Sequence, residues 1–101
     1  MSAEGIGVMS QALRRTVVIN NPQGLHMRPA AAFAEAAARF ESSVSVARAG
    51  TPVDGKDMLQ LLLLAAECGT ELELTTRGPD AADALDTLTE VLATVPPDAD
   101  E

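Results

Sequence analysis

The chain has no tryptophan or tyrosine and only two phenylalanines among its 101 residues. Its core must therefore be aliphatic, and it offers no aromatic platform on which nucleobases could stack. Cationic side chains are also scarce, since seven lysines and arginines stand against fifteen aspartates and glutamates, for a net charge of −8. This balance argues against nucleic acid and against an anionic membrane surface as partners.

Cysteine and histidine each occur once, as Cys68 and His26. A single cysteine cannot form an internal disulfide, which suits a reducing compartment. Its neighbour Glu67 has the wrong charge to activate a thiolate, so we expect Cys68 to be a small residue packed near a helix end. One cysteine and one histidine far apart in sequence disfavour a metal site, and we expect no metal and no cofactor.

Long hydrophobic runs are missing as well. The most apolar stretch, MLQLLLLAA, is far shorter than the roughly 20 residues that span a bilayer, and the first residues lack the pattern of a signal peptide. We therefore expect a cytoplasmic protein that does not insert into a membrane. The length predicts one domain over residues 13–95, and the aperiodic ends predict a flexible N-terminal extension over 1–12 and an acidic tail over 96–101.

Between these ends, hydrophobic periodicity predicts seven elements. Strands are predicted at RRTVVI (14–19), SVSVARA (43–49), a short segment from Thr51 to Val53, and ELELTT (71–76). Helices are predicted from Met27 to Arg39, from Asp57 as N-cap to about Leu64, and over 78–95, where Asp80, Asp83 and Asp86 lie toward the positive end. The residues predicted to face inward are Val17, Ile19, Ala30, Phe33, Ala34, Ala37, Val44, Val46, Leu72, Leu74, Ala81, Ala84, Leu85, Leu88 and Leu92.

The predicted order is βαββαβα. Short alternating strands with half-polar faces indicate an antiparallel sheet, and the apolar face of that sheet must be covered. The two longer helices are the available cover. The sequence therefore predicts an α+β fold: an open-faced β-sandwich in which helices cover one face of a four-stranded antiparallel sheet.

The segment NPQGLHMRPAAAFAEAA (21–37) places His26 where a turn becomes the first helix. The first N–H groups of a helix have no backbone acceptor and carry partial positive charge, so they bind anions. Pro29 suits the first turn because it has no N–H to satisfy, and Arg28 adds a planar fork that matches phosphate oxygens. This arrangement suits a phosphoryl carrier, with His26 as nucleophile and with Arg28 and the amides of Met27 and Arg28 stabilising the charge.

A histidine at a helix start can also be an ordinary surface residue, and the residues alone leave that alternative open. A general base is less well supported, because no serine, cysteine or second catalytic carboxylate is obviously paired with His26.

The segment GLHMRPAA (24–31) resembles the active-site segment of the HPr family, the histidine-containing phosphocarriers of the bacterial phosphoenolpyruvate:sugar phosphotransferase system. The resemblance extends from about Arg14 to Ala93, in the element order and in GTELEL as the fourth strand. It implies that enzyme I, charged by phosphoenolpyruvate, phosphorylates His26 at Nδ1, that Arg28 steadies the group, and that an enzyme IIA domain receives it. The chain would be a carrier rather than a turnover enzyme, and we expect a monomer.

The same resemblance implies that partners dock over the first helix and the short second helix. The docking candidates are Met27, Met58, Leu59 and Leu62. Methionine adapts to several partners, which a carrier with a donor and several acceptors requires. The alternative is that Leu59 and Leu62 belong to the core. We expect Met58 to be exposed and Leu62 to be buried.

Asp57 departs from a familiar pattern. Many HPr proteins begin the second helix with Lys-Ser, whose serine is a regulatory phosphorylation site, whereas this chain has Lys56 and Asp57. An aspartate cannot accept that phosphate, which argues against regulation by HPr kinase. Asp57 is then either a permanently anionic switch or only a helix cap.

Two functions follow from the sequence. One is a phosphoryl carrier in the sugar or nitrogen branch of the phosphotransferase system. The other is a regulatory module of carbon or nitrogen control that binds a transcription factor or an enzyme without serving sugar transport. The presence of both His26 and Arg28 favours the carrier.

Overall fold

Four strands and three helices form the part of the chain that the computed structural model describes, residues 12–93. The elements are β1 (Ala12–Val18), α1 (Met27–Ala38), β2 (Ser43–Arg48), β3 (Thr51–Asp54), α2 (Met58–Leu63), β4 (Glu71–Arg77) and α3 (Ala81–Ala93). The predicted order βαββαβα is confirmed. The predicted extension over 1–12 lies outside the described residues except for Ala12, which begins β1, and the predicted tail over 96–101 lies outside them entirely.

The strands form one antiparallel sheet in the order β1-β4-β2-β3. Val17 pairs with Leu72, and Leu74 pairs with Val46, so apolar side chains form continuous rows across the helix-facing side. A slip of one residue would turn every such side chain toward solvent, and the alternating pattern therefore specifies the register.

The core lies between this sheet face and the helices α1 and α3. All fifteen residues predicted to face inward are buried, and Leu25, Leu61, Leu64 and Ala66 join them. Alanine supplies much of the facing surface of α1 and α3, which lets the two helices approach closely. The aliphatic core expected from the composition is confirmed, with Phe33 as its one fully buried aromatic side chain among residues 12–93.

Helix α2 is short and is held at both ends. The Asp57 carboxylate accepts hydrogen bonds from the N–H groups of Leu59 and Gln60 at 3.0 and 3.3 Å, as predicted for an N-cap. At the other end, Nη1 of Arg48 on β2 donates to the carbonyl oxygens of Leu64 and Ala65 at 2.7 and 2.9 Å. These two bonds satisfy carbonyl groups that the end of a helix leaves without partners.

Asp80 ties two distant connections together. Its carboxylate accepts hydrogen bonds from the N–H groups of Glu41 and Ser42 and from the Ser42 hydroxyl, at 3.0, 2.9 and 2.5 Å. The Ser42 hydroxyl, followed by the Glu41 amide, lowers the pKa of the Asp80 carboxyl below its ordinary 3.8. Asp80 thus joins the segment between α1 and β2 to the start of α3. The sequence predicted only a favourable interaction of its charge with the N-terminus of the helix.

The Asp80 contacts predict an acid-sensitive part of the stability. Because the folded-state pKa is depressed, this stabilisation is complete above the ordinary value of 3.8 and is lost as the pH falls through the lower folded-state value. Asp80→Asn should therefore lower the urea midpoint of unfolding near neutral pH, and by much less in strong acid. Asp83→Asn removes the same charge from the first turn of α3 and is the control. Equal effects of the two substitutions at neutral pH would contradict the prediction.

The expectation for Cys68 is wrong. Helix α2 ends at Leu63, so Cys68 lies well beyond it in the connection to β4, where it is exposed. Its Sγ lies 3.7 Å from the carbonyl oxygen of Asn20. The apolar run that predicted a packed cysteine continues past the end of α2 at Leu63. Cys68 therefore lies in a loop and not beside a helix end.

Candidate functional site

The connection from β1 to α1 is fixed by backbone hydrogen bonds. The Gly24 N–H donates to the carbonyl of Asn21 at 2.8 Å, and the Leu25 N–H donates across to the carbonyl of Ala66 at 2.8 Å. Gly24 has φ +76°, and a Cβ at this position would lie 2.5 Å from the Ala66 oxygen. Glycine is therefore required both by the backbone angle and by the close approach of the neighbouring loop.

His26 is the N-cap residue of α1, which agrees with its predicted place where a turn becomes the first helix. Its backbone is extended, with φ −93° and ψ −166°, and its carbonyl accepts the first bond of the helix, from the Ala30 N–H at 3.0 Å. Its side chain makes no capping hydrogen bond. The imidazole is thus not used to hold the helix together.

The first turn of α1 is electrostatically open to an anion. The amides of Met27 and Arg28 occupy positions for which a helix has no acceptor of its own, and Pro29 contributes no N–H. No acidic side chain lies in this turn, so none neutralises the positive end of the helix dipole. The exposed guanidinium of Arg28 adds a full positive charge on the same turn.

A shallow, open depression of about 460 Å³ lies over this turn, and its lining joins α1 to α2. The lining residues are His26, Met27, Arg28, Ala31 and Met58. The structure therefore brings the predicted nucleophile, the predicted phosphate-binding residues and the first residue of α2 to one place. Leu59 and Leu62 do not line the depression.

The two ring nitrogens of His26 are not equivalent. Nε2 is buried and has no hydrogen-bond partner among residues 12–93. A buried polar atom without a partner is unusual and marks either a functional role or a strained position. Because Nε2 is shielded, a reagent from solvent cannot reach the ring at that nitrogen.

The exposure of the docking candidates differs in part from expectation. Met27 is 62% exposed and Leu59 is 67% exposed, so the alternative that Leu59 belongs to the core is wrong. Met58, expected to be exposed, is half-buried and packs against the core, as does Leu62. Leu63, which the sequence analysis did not single out, is 78% exposed. It lies four residues after Leu59, a spacing that would have placed both on one helix face; the docking role of this face stays a prediction.

Asp57 immediately precedes Met58 and so lies next to the depression. Its hydrogen bonds to the first turn of α2 confirm the helix cap. Because a carboxylate that caps a helix can also act on a partner, these bonds do not decide between the two alternatives for Asp57. Its action as a fixed regulatory charge stays a prediction.

Fold and site together define a small α+β domain that presents a histidine at the anion-binding entrance of a helix. The sequence profile described as "PTS HPr component phosphorylation site" matches residues 13–94. The chain therefore belongs to the HPr family, the phosphocarrier proteins of the phosphotransferase system.

Individual relatives agree with this assignment. The chain is 43% identical to the phosphocarrier protein HPr of Pseudomonas putida over 79 residues, covering 77% of this chain and 88% of that protein. It is 37% identical to the HPr-like protein Crh of Bacillus subtilis (strain 168) over 76 residues, covering 75% and 89%. The crystal structure of HPr from Bacillus anthracis str. Ames aligns with a TM-score of 0.77 at 31% identity, covering 80% of this chain and 96% of that one.

Two structural features are absent from residues 12–93, the part of the chain that the structure describes. No helix in this range is both long and apolar enough to cross a bilayer. The same residues contain no group of three His, Cys, Asp or Glu side chains that could hold a metal ion.

Proposed function

We propose that this protein accepts a phosphoryl group on Nδ1 of His26 from phosphorylated enzyme I and passes it to an enzyme IIA domain of the phosphotransferase system. The observation that carries the proposal is the position of His26. It is the N-cap residue of α1, its side chain makes no capping hydrogen bond, and its Nε2 is buried without a partner among residues 12–93. Membership of the HPr family supports the same role.

The transfer needs only groups that the site and the donor supply. The lone pair of Nδ1 forms the new bond to phosphorus while the bond between phosphorus and the donor breaks, and the electron pair of that bond stays with the donor. The ring proton stays on Nε2 during this step, because that nitrogen is shielded and takes no part in the exchange. Transfer to enzyme IIA is the same exchange with His26 as the leaving group.

Charge stabilisation is the main contribution of the protein. Negative charge is spread over three phosphoryl oxygens in the transition state, so catalysis depends on positioning and electrostatics. The amides of the first turn of α1 are fixed by the helix and need no rearrangement, and Arg28 can donate two parallel hydrogen bonds to the same group. The open depression leaves the phosphoryl group accessible to the next acceptor.

The direct test is incubation with phosphoenolpyruvate and enzyme I, followed by intact-mass measurement. We expect one phosphoryl adduct, stable in base and labile in acid, which disappears when an enzyme IIA domain is added. The HPr of Pseudomonas putida is the positive control for the activity of the enzymes. Failure of this chain to form the adduct while that control is charged would contradict the proposed function.

A second candidate is a regulatory module that binds another protein without serving sugar transport. The similarity to Crh, described as the catabolite repression HPr of Bacillus subtilis, favours it, as do the exposed leucines of α2. The two candidates differ in the fate of the phosphoryl group. A carrier is discharged rapidly by enzyme IIA, whereas a module used only for binding keeps its adduct in the presence of every enzyme IIA domain.

Asp57 gives a prediction about docking. A carboxylate beside the depression carries one negative charge, where a phosphoserine carries about 1.5 to 2, and it should weaken docking of acidic partner surfaces, most strongly at low salt. Asp57→Ser keeps a capping side chain, so the free energy of unfolding should change by no more than about 1 kcal/mol. The KM for enzyme I should fall severalfold at low salt and less at high salt, and an HPr kinase should be able to phosphorylate the new serine.

Asp54→Ser is a matched control, because it removes the same charge at the end of β3, four residues before the lining residue Met58, whereas Asp57 adjoins Met58. If wild type and Asp57→Ser show the same KM at both salt concentrations, Asp57 is only a helix cap.

A further inference from the structure

Asn21 is a buried polar side chain in the loop that leads to His26. It is 7% exposed, and its Nδ2 donates a hydrogen bond to the carbonyl oxygen of Gly24 at 3.0 Å. Its own carbonyl accepts from the Gly24 N–H at 2.8 Å. The preceding asparagine, Asn20, is exposed instead.

The Gly24 carbonyl is held from two sides. It accepts from Asn21 Nδ2 and also from the backbone N–H of His26 at 3.0 Å. The N–H of the same peptide unit, which belongs to Leu25, donates to the Ala66 carbonyl at 2.8 Å. Both polar ends of the peptide plane two residues before the site are therefore fixed.

We propose that Asn21 is a positioning residue for phosphoryl transfer, which holds the Gly24–Leu25 peptide so that His26 enters α1 with its ring beside the first-turn amides. This inference rests on the proposed function. The bond needs a donor on this side chain, which the NH₂ group of the amide supplies, whereas the carboxylate of an aspartate is acceptor-only and would repel the Gly24 oxygen. Small displacements of a reacting group can cost large factors in rate.

The decisive comparison is between Asn21→Asp and Asn20→Asp. Both substitutions add one negative charge, at adjacent positions, but only the first removes the hydrogen bond to Gly24. Phosphoramidate serves as the donor, because it needs no protein partner. Its P–N bond breaks as the bond from Nδ1 to phosphorus forms, and its protonated nitrogen leaves as ammonia with the electron pair of the broken bond. We expect Asn21→Asp to be phosphorylated about tenfold more slowly than wild type and Asn20→Asp to match wild type.

A structural readout accompanies the rate. The chain has one histidine, so its ring-proton NMR signals are unambiguous. In unphosphorylated Asn21→Asp they should shift, and the Leu25 amide should exchange faster, while Asn20→Asp leaves both unchanged. Asn21→Ser keeps a donor on a shorter side chain, so its phosphoramidate rate should lie between those of wild type and Asn21→Asp. If Asn21→Asp does not fold, the rates and spectra of Asn21→Ser and Asn20→Ser are compared instead.

With enzyme I as donor, the loss should appear in kcat with the KM for enzyme I unchanged, which general destabilisation of the fold would not produce. Equal phosphoramidate rates and equal His26 spectra for the variants at positions 20 and 21 would overturn the positioning role. A failure of the proposed function looks different: enzyme I would then leave the wild type uncharged, while phosphoramidate would still separate the two variants.

Discussion

Replacing His26 with alanine is expected to abolish the phosphoryl adduct formed with enzyme I while leaving the fold intact. His26 is the only histidine in the chain, so no second imidazole can take its place. The side chain makes no capping hydrogen bond, and its buried Nε2 has no partner among residues 12–93. Its removal therefore breaks no capping bond of α1 and, within that range, no hydrogen bond to Nε2, and the free energy of unfolding should change by no more than about 1 kcal/mol.

Intact mass after incubation with phosphoenolpyruvate and enzyme I measures the loss, and urea unfolding checks the fold. Cys68→Ser is the control, since it removes the exposed thiol, a second nucleophile, without touching the site. We expect this control to charge like wild type. An adduct that survives His26→Ala, or one that resists acid as a phosphoserine does, would rule out the carrier mechanism.

The elements and the core were predictable from sequence because their signals are local. Alternation in SVSV and ELEL identifies half-buried strands, and the spacing of Ala30, Phe33, Ala34 and Ala37 identifies the buried face of α1. The N-cap roles of His26 and Asp57 were predictable for the same reason, since turn residues and capping residues act on their immediate neighbours.

Contacts between distant segments were not predictable. Ser42 and Asp80 are 38 residues apart. Arg48 is 16 and 17 residues from Leu64 and Ala65, whose carbonyls it binds just after the end of α2. No periodicity encodes such pairs, because each depends on how the finished sheet places two loops side by side. The predictions for Cys68 and Met58 were wrong for a related reason. An apolar run with no clear amphipathic face does not show where its helix ends or which side of the helix is buried.

The candidate site depends both on local sequence signals and on contacts between distant segments. Its nucleophile and its charge lie within one short segment, which is why GLHMRPAA was informative by itself. The support for that segment comes from elsewhere in the chain: Ala66 fixes the Leu25 amide, and Met58 completes the depression. The shielding of Nε2 depends on the folded structure and has no counterpart in the sequence pattern.

Replacing Arg28 with alanine should slow phosphoryl transfer from enzyme I by roughly ten- to a hundredfold. Hydrogen bonds to charged groups contribute about 1.5–3 kcal/mol, and about 1.4 kcal/mol corresponds to a factor of ten in rate. The loss should be partial, because the first-turn amides of α1 remain in place to hold the phosphoryl oxygens. Arg28→Lys should recover part of the rate, since a point charge lacks the planar fork.

Rapid-quench measurement of the first transfer step separates this effect from product release. Arg39→Ala is the matched control: Arg39 is the exposed C-cap residue of the same helix, so its removal changes the net charge equally but at the far end of α1. We expect Arg39→Ala to transfer at the wild-type rate. If Arg28→Ala also did so, the first-turn amides and the partner's own residues would account for all of the charge stabilisation, and Arg28 would have no part in the transfer.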